Sequence, residues 1–224
     1  MFTKPRKCLI PDEFLLEMGT CDVTIHGVKL ITHVLNCATA VDNHIADIRS
    51  YLECNGKVVG FDVKELQHGY PANHAIILCV SRRCLIIHVH YACDSNGKTP
   101  ESLINFLKDP KICFVGVNII DLSRITHCYR LVGYSTVRSA DRLNVGVKVG
   151  ELAARVLKKS ALIDTSLADI AHQVGVSYNG PTSATAKIKM DSRNPKVFTD
   201  EHVVAAVSDA CAYYQIGYKL LASP

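Results

Sequence analysis

The sequence predicts an α/β fold, a sheet flanked by helices, and two observations carry that reading. Short apolar runs bounded by turn residues crowd the first half, at 57–63, 75–80, 84–92 and 112–120. Amphipathic helical spacing dominates the second half, at 121–130, 147–159, 166–174 and about 200–221. Strands first and helices later place the chemistry near strand ends and on the helices packed over them.

Taken in order, residues 1–20 mix Pro, Lys and Glu without periodicity and read as an N-terminal extension, leaving 21–224 as the folded domain. CDVTIHGVKLITHV alternates around Gly27 like a hairpin. VDNHIADIRSYLE (41–53) spaces Ile45, Ile48 and Leu52 on one helical face opened by Asp42. The runs KVVGFDV, AIILCV and CLIIHVHYA follow as strands. SNGK at 95–98 closes that set, and TPES at 99–102 starts a helix with Pro100 near its first turn. ICFVGVNII (112–120) is a fourth strand.

Composition sets the outer limits. The 224 residues are 48% apolar and 21% charged, an ordinary globular mixture that excludes collagen, coiled coil and full-length disorder. A net charge of +4 neither announces nor opposes a polyanionic partner. No apolar run reaches the roughly 18 to 20 residues of a membrane span, and MFTKPRKCLIPDEF lacks the apolar core of a signal peptide. A cytoplasmic and/or nuclear location is therefore expected, with no membrane partner. The 10 cysteines show no Cys-x-x-Cys and read as buried thiols.

Three aspartates ask for an explanation. Asp209 sits on a helix face whose neighbours are Ala205, Ala206, Ala212 and Tyr213, where a lone carboxylate costs several kcal/mol unless a cation or donors meet it. Either a rim position, a metal ligand or a partnership with a nearby Lys or Arg satisfies that demand. Asp62 ends the apolar run KVVGFD. Asp121 follows VGVNII and serves equally as a helix cap. Together the three can supply hard oxygen ligands for Mg²⁺ or Mn²⁺ flanking a phosphodiester.

The succession VVGFDV (58–63), FVGVNIIDLSRI (114–125), GELAARVL (150–157), LADIAHQVGV (167–176) and FTDEHVVAAVSDACAYYQIGYKL (198–220) resembles the 3′-5′ exonuclease domain of the Werner-type, DnaQ-like DEDD group. The resemblance covers about residues 22–221 and is similar in flavour to small plant single-domain members, a group that includes the exoribonuclease clearing fragments from the RNA-induced silencing complex. It implies an RNase H-like, mixed sheet flanked by helices. By position it makes Asp62, Asp121 and Asp209 the catalytic and metal-binding carboxylates, with Mg²⁺ or Mn²⁺ as cofactor and a single-stranded RNA or DNA 3′ end as substrate, RNA preferred.

The departures from that pattern are equally specific. The first motif reads Asp62-Val63-Lys64 where the family has Asp-x-Glu, and Ala205 stands where a Tyr precedes the last Asp by four residues. On a strand, positions 62 and 64 share a face about 6.5 to 7 Å apart, so the Lys64 ammonium projects toward the metal position and modulates it. His202 falls out of register with the His of the related subgroup.

Remaining clusters point to contacts. Lys187, Lys189, Arg193 and Lys196 gather before the last helix as a nucleic-acid-binding loop, or as solvated surface. Cys84, His88, His90 and Cys93 look like a zinc set, but Cys84 and His88 lie about 13 Å apart on a strand. The expectation is a metal-assisted 3′-5′ exonuclease. The alternatives are a catalytically degenerate pseudo-exonuclease that retains binding, and an oligomeric assembly protein built on a homo-oligomer.

Overall fold

The structure is a computed structural model that describes residues 19–67, 73–89, 91–93, 99–116, 120–121, 144–178, 180, 187–189 and 198–222. Strands β1 (Thr20–Ile25) and β2 (Val28–Leu35) pair antiparallel through a two-residue turn. His26 and Gly27 both take positive φ, 50° and 79°, as a tight turn matching strand twist requires. β1 begins at Thr20, one residue inside the stretch read as an extension; residues 1–18 lie outside the described residues.

Helix α1 (Ala38–Asn55) buries Val41, Ile45, Ile48 and Leu52, a stripe at helical spacing. It starts three residues before the expected 41–53, and Asp42, expected to open it, accepts a hydrogen bond from the Ser102 hydroxyl instead. The strands β3 (Val58–Gln67), β4 (Asn73–Val80) and β5 (Arg83–His88) form an antiparallel meander. Helix α2 (Glu101–Leu107) leads into β6 (Cys113–Gly116). A short ladder joins β7 (Ile120–Asp121) to β8 (Asn144–Val145), and β9 (Val147–Lys148) runs beside β6.

Helices α3 (Val149–Leu157) and α4 (Leu167–Val174) follow, the second capped by the Ser166 hydroxyl on the Asp169 amide and ended at Gly175 with φ 72°. After β10 (Lys187–Lys189) comes the long α5 (Asp200–Ala222). The entry to α5 is held reciprocally: the Thr199 amide donates to His202 Nδ1 and the His202 amide to Thr199 Oγ1, each at 3.3 Å. His202 therefore has a capping role. The expected helix at 121–130 lies outside the described residues beyond Asp121, which is in β7.

Among the described residues the main sheet has eight strands, in the order β1-β2-β5-β4-β3-β6-β9, with β10 also on β3. β6 and β10 lie parallel to β3, β6 over Val58–Gly60 and β10 over Glu65–Gln67. Alternation along β3 sends Val59, Phe61 and Val63 toward the core under α1 and α2, and Val58, Gly60, Asp62, Lys64 and Leu66 toward α5.

Gly60 sets how close α5 comes. A Cβ there would overlap the Ala210 carbonyl oxygen and lie 2.7 Å from the Tyr214 nitrogen, while a Cβ at Gly217 would lie 2.7 Å from Val115 Cγ2. Gly60→Ala is expected to destabilise the fold by about 3 kcal/mol, the upper range for overpacking, because backbone must move rather than a side chain. Chemical denaturation measures it, and an unchanged midpoint would remove Gly60 from that role.

His33 on β2 and His44 on α1 stack with ring centroids 4.2 Å apart, and burial lowers the pKa of both, followed for His33 by the charge of His44 itself. The unfolded chain therefore takes up protons first. Stability is present above the unfolded value, near 6.5, and falls as the pH drops through it toward the lower folded values. Unfolding free energy is expected to decline from about pH 7 to about pH 5. The double variant His33→Gln/His44→Gln should flatten that slope; an equal slope in the variant would assign the loss to other groups.

Candidate functional site: a lysine between two carboxylates

β3 continues to Gln67, so Asp62 lies in mid-strand and not at a strand end as its apolar run suggests. The strand is prolonged by pairing with β4 through Leu66 and with β10 from Glu65. Along the edge shared by β6 and β10, the residues between Gly60 and Glu65 have no strand partner among the described residues. Asp62 and Lys64 sit in this fork and point at α5.

There they meet Asp209. Lys64 Nζ lies 2.8 Å from Asp62 Oδ2 and donates a hydrogen bond of 2.7 Å to Asp209 Oδ2. The contact to Asp62 is an ion pair without the alignment of a directed hydrogen bond, so that buried oxygen is held by charge alone. Asp62 Oδ1 accepts the Val63 amide at 2.8 Å, and Asp209 Oδ1 accepts the Tyr178 hydroxyl at 2.7 Å. Each of the four carboxylate oxygens thus already faces a donor or a positive charge. Lys64 is 5% exposed and Asp209 6%, so water screens little of this.

The electrostatics follow from that geometry. Burial pushes the Asp62 carboxyl up, against the pull of the Lys64 ammonium. Burial works against the charge on Lys64 too, but Asp62 and Asp209 outweigh it and hold its pKa above the ordinary lysine value. Tyr178 is raised by burial and by its bond to Asp209, so it remains a phenol that donates.

Tyr178 comes from the segment after α4 and is the residue that sequence reasoning missed. Its ring packs on His26, 4.8 Å between centroids, while His26 Nε2 lies 3.1 Å from the Ser208 carbonyl oxygen. The turn of the first hairpin therefore braces the phenol over the carboxylates. The one local hint is its place in VSYNG, beside a turn-forming Asn-Gly pair.

Of the three predicted carboxylates, Asp62 and Asp209 converge. Asp121 lies in β7, paired with Asn144 in the separate ladder, and its side chain is outside the described residues. Lys187 and Lys189 fall in β10, opposite Glu65 and Gln67, whereas Arg193 and Lys196 lie outside the described residues. Of the set weighed for zinc, Cys84 is buried on β5, His88 packs against Tyr91 and Phe198, and Cys93 is disulfide-bonded; His90 lies outside the described residues, and the expectation of buried thiols fails at Cys93 and at the exposed Cys37 and Cys54.

Mg²⁺ or Mn²⁺ needs open oxygen ligands, and here the space between Asp62 and Asp209 is filled by an ammonium. Among the described residues no group of three or more His, Cys, Asp or Glu is arranged to hold a metal ion. The donor set as placed does not fit a divalent cation. No described helix is long and apolar enough to cross a membrane.

No family model matches the chain, and no curated protein matches it in sequence. Among solved structures it is similar to Escherichia coli RNase D, an exoribonuclease involved in structured RNA processing, with a TM-score of 0.54 and 15% identity over 85% of this chain and 44% of that one. This chain thus corresponds to less than half of RNase D. The EXD2 exonuclease domain soaked in Mn and dGMP aligns with a TM-score of 0.41 and 19% identity, over 85% of this chain and 89% of that one. The antiparallel meander β3-β4-β5, with parallel β6 and β9 beyond β3 and α5 across the face, is the RNase H-like, DnaQ-like exonuclease fold.

Proposed function

We propose that this chain is a nucleic-acid-binding domain of the exonuclease fold that engages single-stranded 3′ ends, RNA preferred, without hydrolysing them. The observation that carries this reading is the saturation of the Asp62 and Asp209 oxygens by Lys64, Tyr178 and the Val63 amide. Metal-assisted hydrolysis needs those oxygens on cations that polarise the phosphodiester and generate hydroxide. An ammonium does neither at neutral pH. RNase D, an exoribonuclease, supports RNA as the class of ligand through the shared fold. The basic residues Lys187, Lys189, Arg193 and Lys196 supply phosphate contacts in this reading.

Incubation with a 3′-labelled single-stranded RNA, with and without Mn²⁺, tests both halves. The expected result is a mobility shift with the label intact, and a salt dependence that flattens when the four basic residues are neutralised together. Manganese-dependent release of mononucleotides that disappears in Asp62→Asn would overturn the non-catalytic half. Absence of any shift would overturn the binding half.

A further inference from the structure

The end of the sheet opposite the carboxylates carries a second feature. Tyr218 lies nine residues beyond Asp209 on α5, about 13 Å along the helix axis. It is 45% exposed and stacks on Tyr214, with centroids 5.7 Å apart and an interplanar angle of 27°. Tyr214 is half-buried and lies close to the Ser81 backbone and to Tyr51 of α1. Gly56, with φ 99°, ends α1 beside the Tyr218 ring, its added Cβ position 4.0 Å from Cε2.

Exposed cations border these rings in the chain. Lys57 follows Gly56, Arg82 follows Ser81, and Lys111 precedes the Cys113 amide that bonds the Lys57 carbonyl at 2.7 Å. None of the three forms an ion pair with a described residue. On the same segments, 51–58, 81–83, 108–113 and 214–222, the carboxylates are Glu53 and Asp109, and Asp109 is committed to Arg49 at 2.8 Å. Stacked, partly exposed aromatic rings near exposed cations match a single-stranded nucleic acid, whose bases stack and whose phosphates need positive charge.

We propose that Tyr218, backed by Tyr214 and flanked by Lys57, Arg82 and Lys111, is a stacking platform that grips single-stranded RNA at a distance from the carboxylate site. The inference rests on the binding half of the proposed function and deepens it. A bound strand would then contact the two ends of the same sheet face, which suits a domain that holds RNA rather than trimming it.

The test is titration of a 5′-labelled oligouridine into the full chain, followed by fluorescence anisotropy. Tyr218→Ala should weaken binding by about 5-fold or more, within the range for loss of one base stack. Tyr218→Phe, which keeps the ring, should bind within about 2-fold of wild type. Lys57→Ala/Arg82→Ala should weaken binding and reduce the slope of affinity against salt by roughly one to two ions. Circular dichroism melting confirms that each variant is folded, and a variant that does not fold is replaced by Tyr218→Ser or the corresponding single lysine or arginine change. Wild-type affinity in Tyr218→Ala and in the cation variant, with binding otherwise intact, overturns the platform and leaves the proposed function standing. Failure of the wild-type chain to bind overturns both, and release of mononucleotides would touch the non-catalytic reading alone. Equal losses in Tyr218→Ala and Tyr218→Phe would also overturn a stacking role.

Discussion

Lys64→Ala is expected to melt roughly 6 to 20 °C below the wild-type chain. The substitution leaves Asp62 and Asp209 facing each other in a buried site with no cation between them, and breaking a buried ion pair by removing one partner costs about 3 to 5 kcal/mol. For a domain of this size each kcal/mol moves the midpoint by about 2 to 4 °C. The triple variant Lys64→Met/Asp62→Asn/Asp209→Asn removes all three charges and should recover part of the loss, since an uncharged replacement no longer strands a carboxylate. Calorimetric melting of both variants checks the claim. A Lys64→Ala midpoint within a degree or two of wild type would mean that water or a rearranged side chain replaces the ammonium at little cost.

Lys64→Glu should turn the site from indifferent to responsive toward Mn²⁺. Without metal, a third carboxylate in the fork is more disruptive than alanine, because like charges within a few ångströms repel where screening is weak. With Mn²⁺ in 100-fold excess over its dissociation constant, binding to the folded form alone returns about 2.7 kcal/mol. The wild-type chain, whose carboxylate oxygens are already engaged, should melt at the same temperature in Mn²⁺ and in chelator. Stabilisation of wild type by Mn²⁺ equal to that of the variant would show that Lys64 leaves the site readily.

What the sequence discloses and what it hides follow from the range of the interactions. The stripe of α1 and the alternation of β1 and β2 are local, repeated patterns, and the structure has both near their expected bounds. The end of β3 is not local. Lys64 and Glu65 stop the apolar run, so the strand reads as finished at Val63, yet pairing with β4 and β10 carries it to Gln67. The charge at Lys64 is tolerated inside a sheet because Asp209 answers it from 145 residues away. Asp62, Lys64 and Asp209 are visible as candidates because each breaks an apolar pattern. Tyr178 breaks none, since a tyrosine in a Gly-rich loop is unremarked until its hydroxyl is found 2.7 Å from Asp209.

The bare backbone at Gly60 has a further consequence for how such a site changes over time. The spacing of Asp62 from Asp209 is fixed by main-chain contact between β3 and α5, at Gly60 against Ala210 and Tyr214, and by Gly217 against Val58 and Val115. It does not depend on whatever cation lies between the carboxylates. A carboxylate or a lysine at position 64 can therefore stand on one skeleton, exchanged with no need to rebuild the helix. The same rigidity makes the exchange reversible: the gap between Asp62 and Asp209 is cut by the main chain and outlasts a change in the charge that fills it.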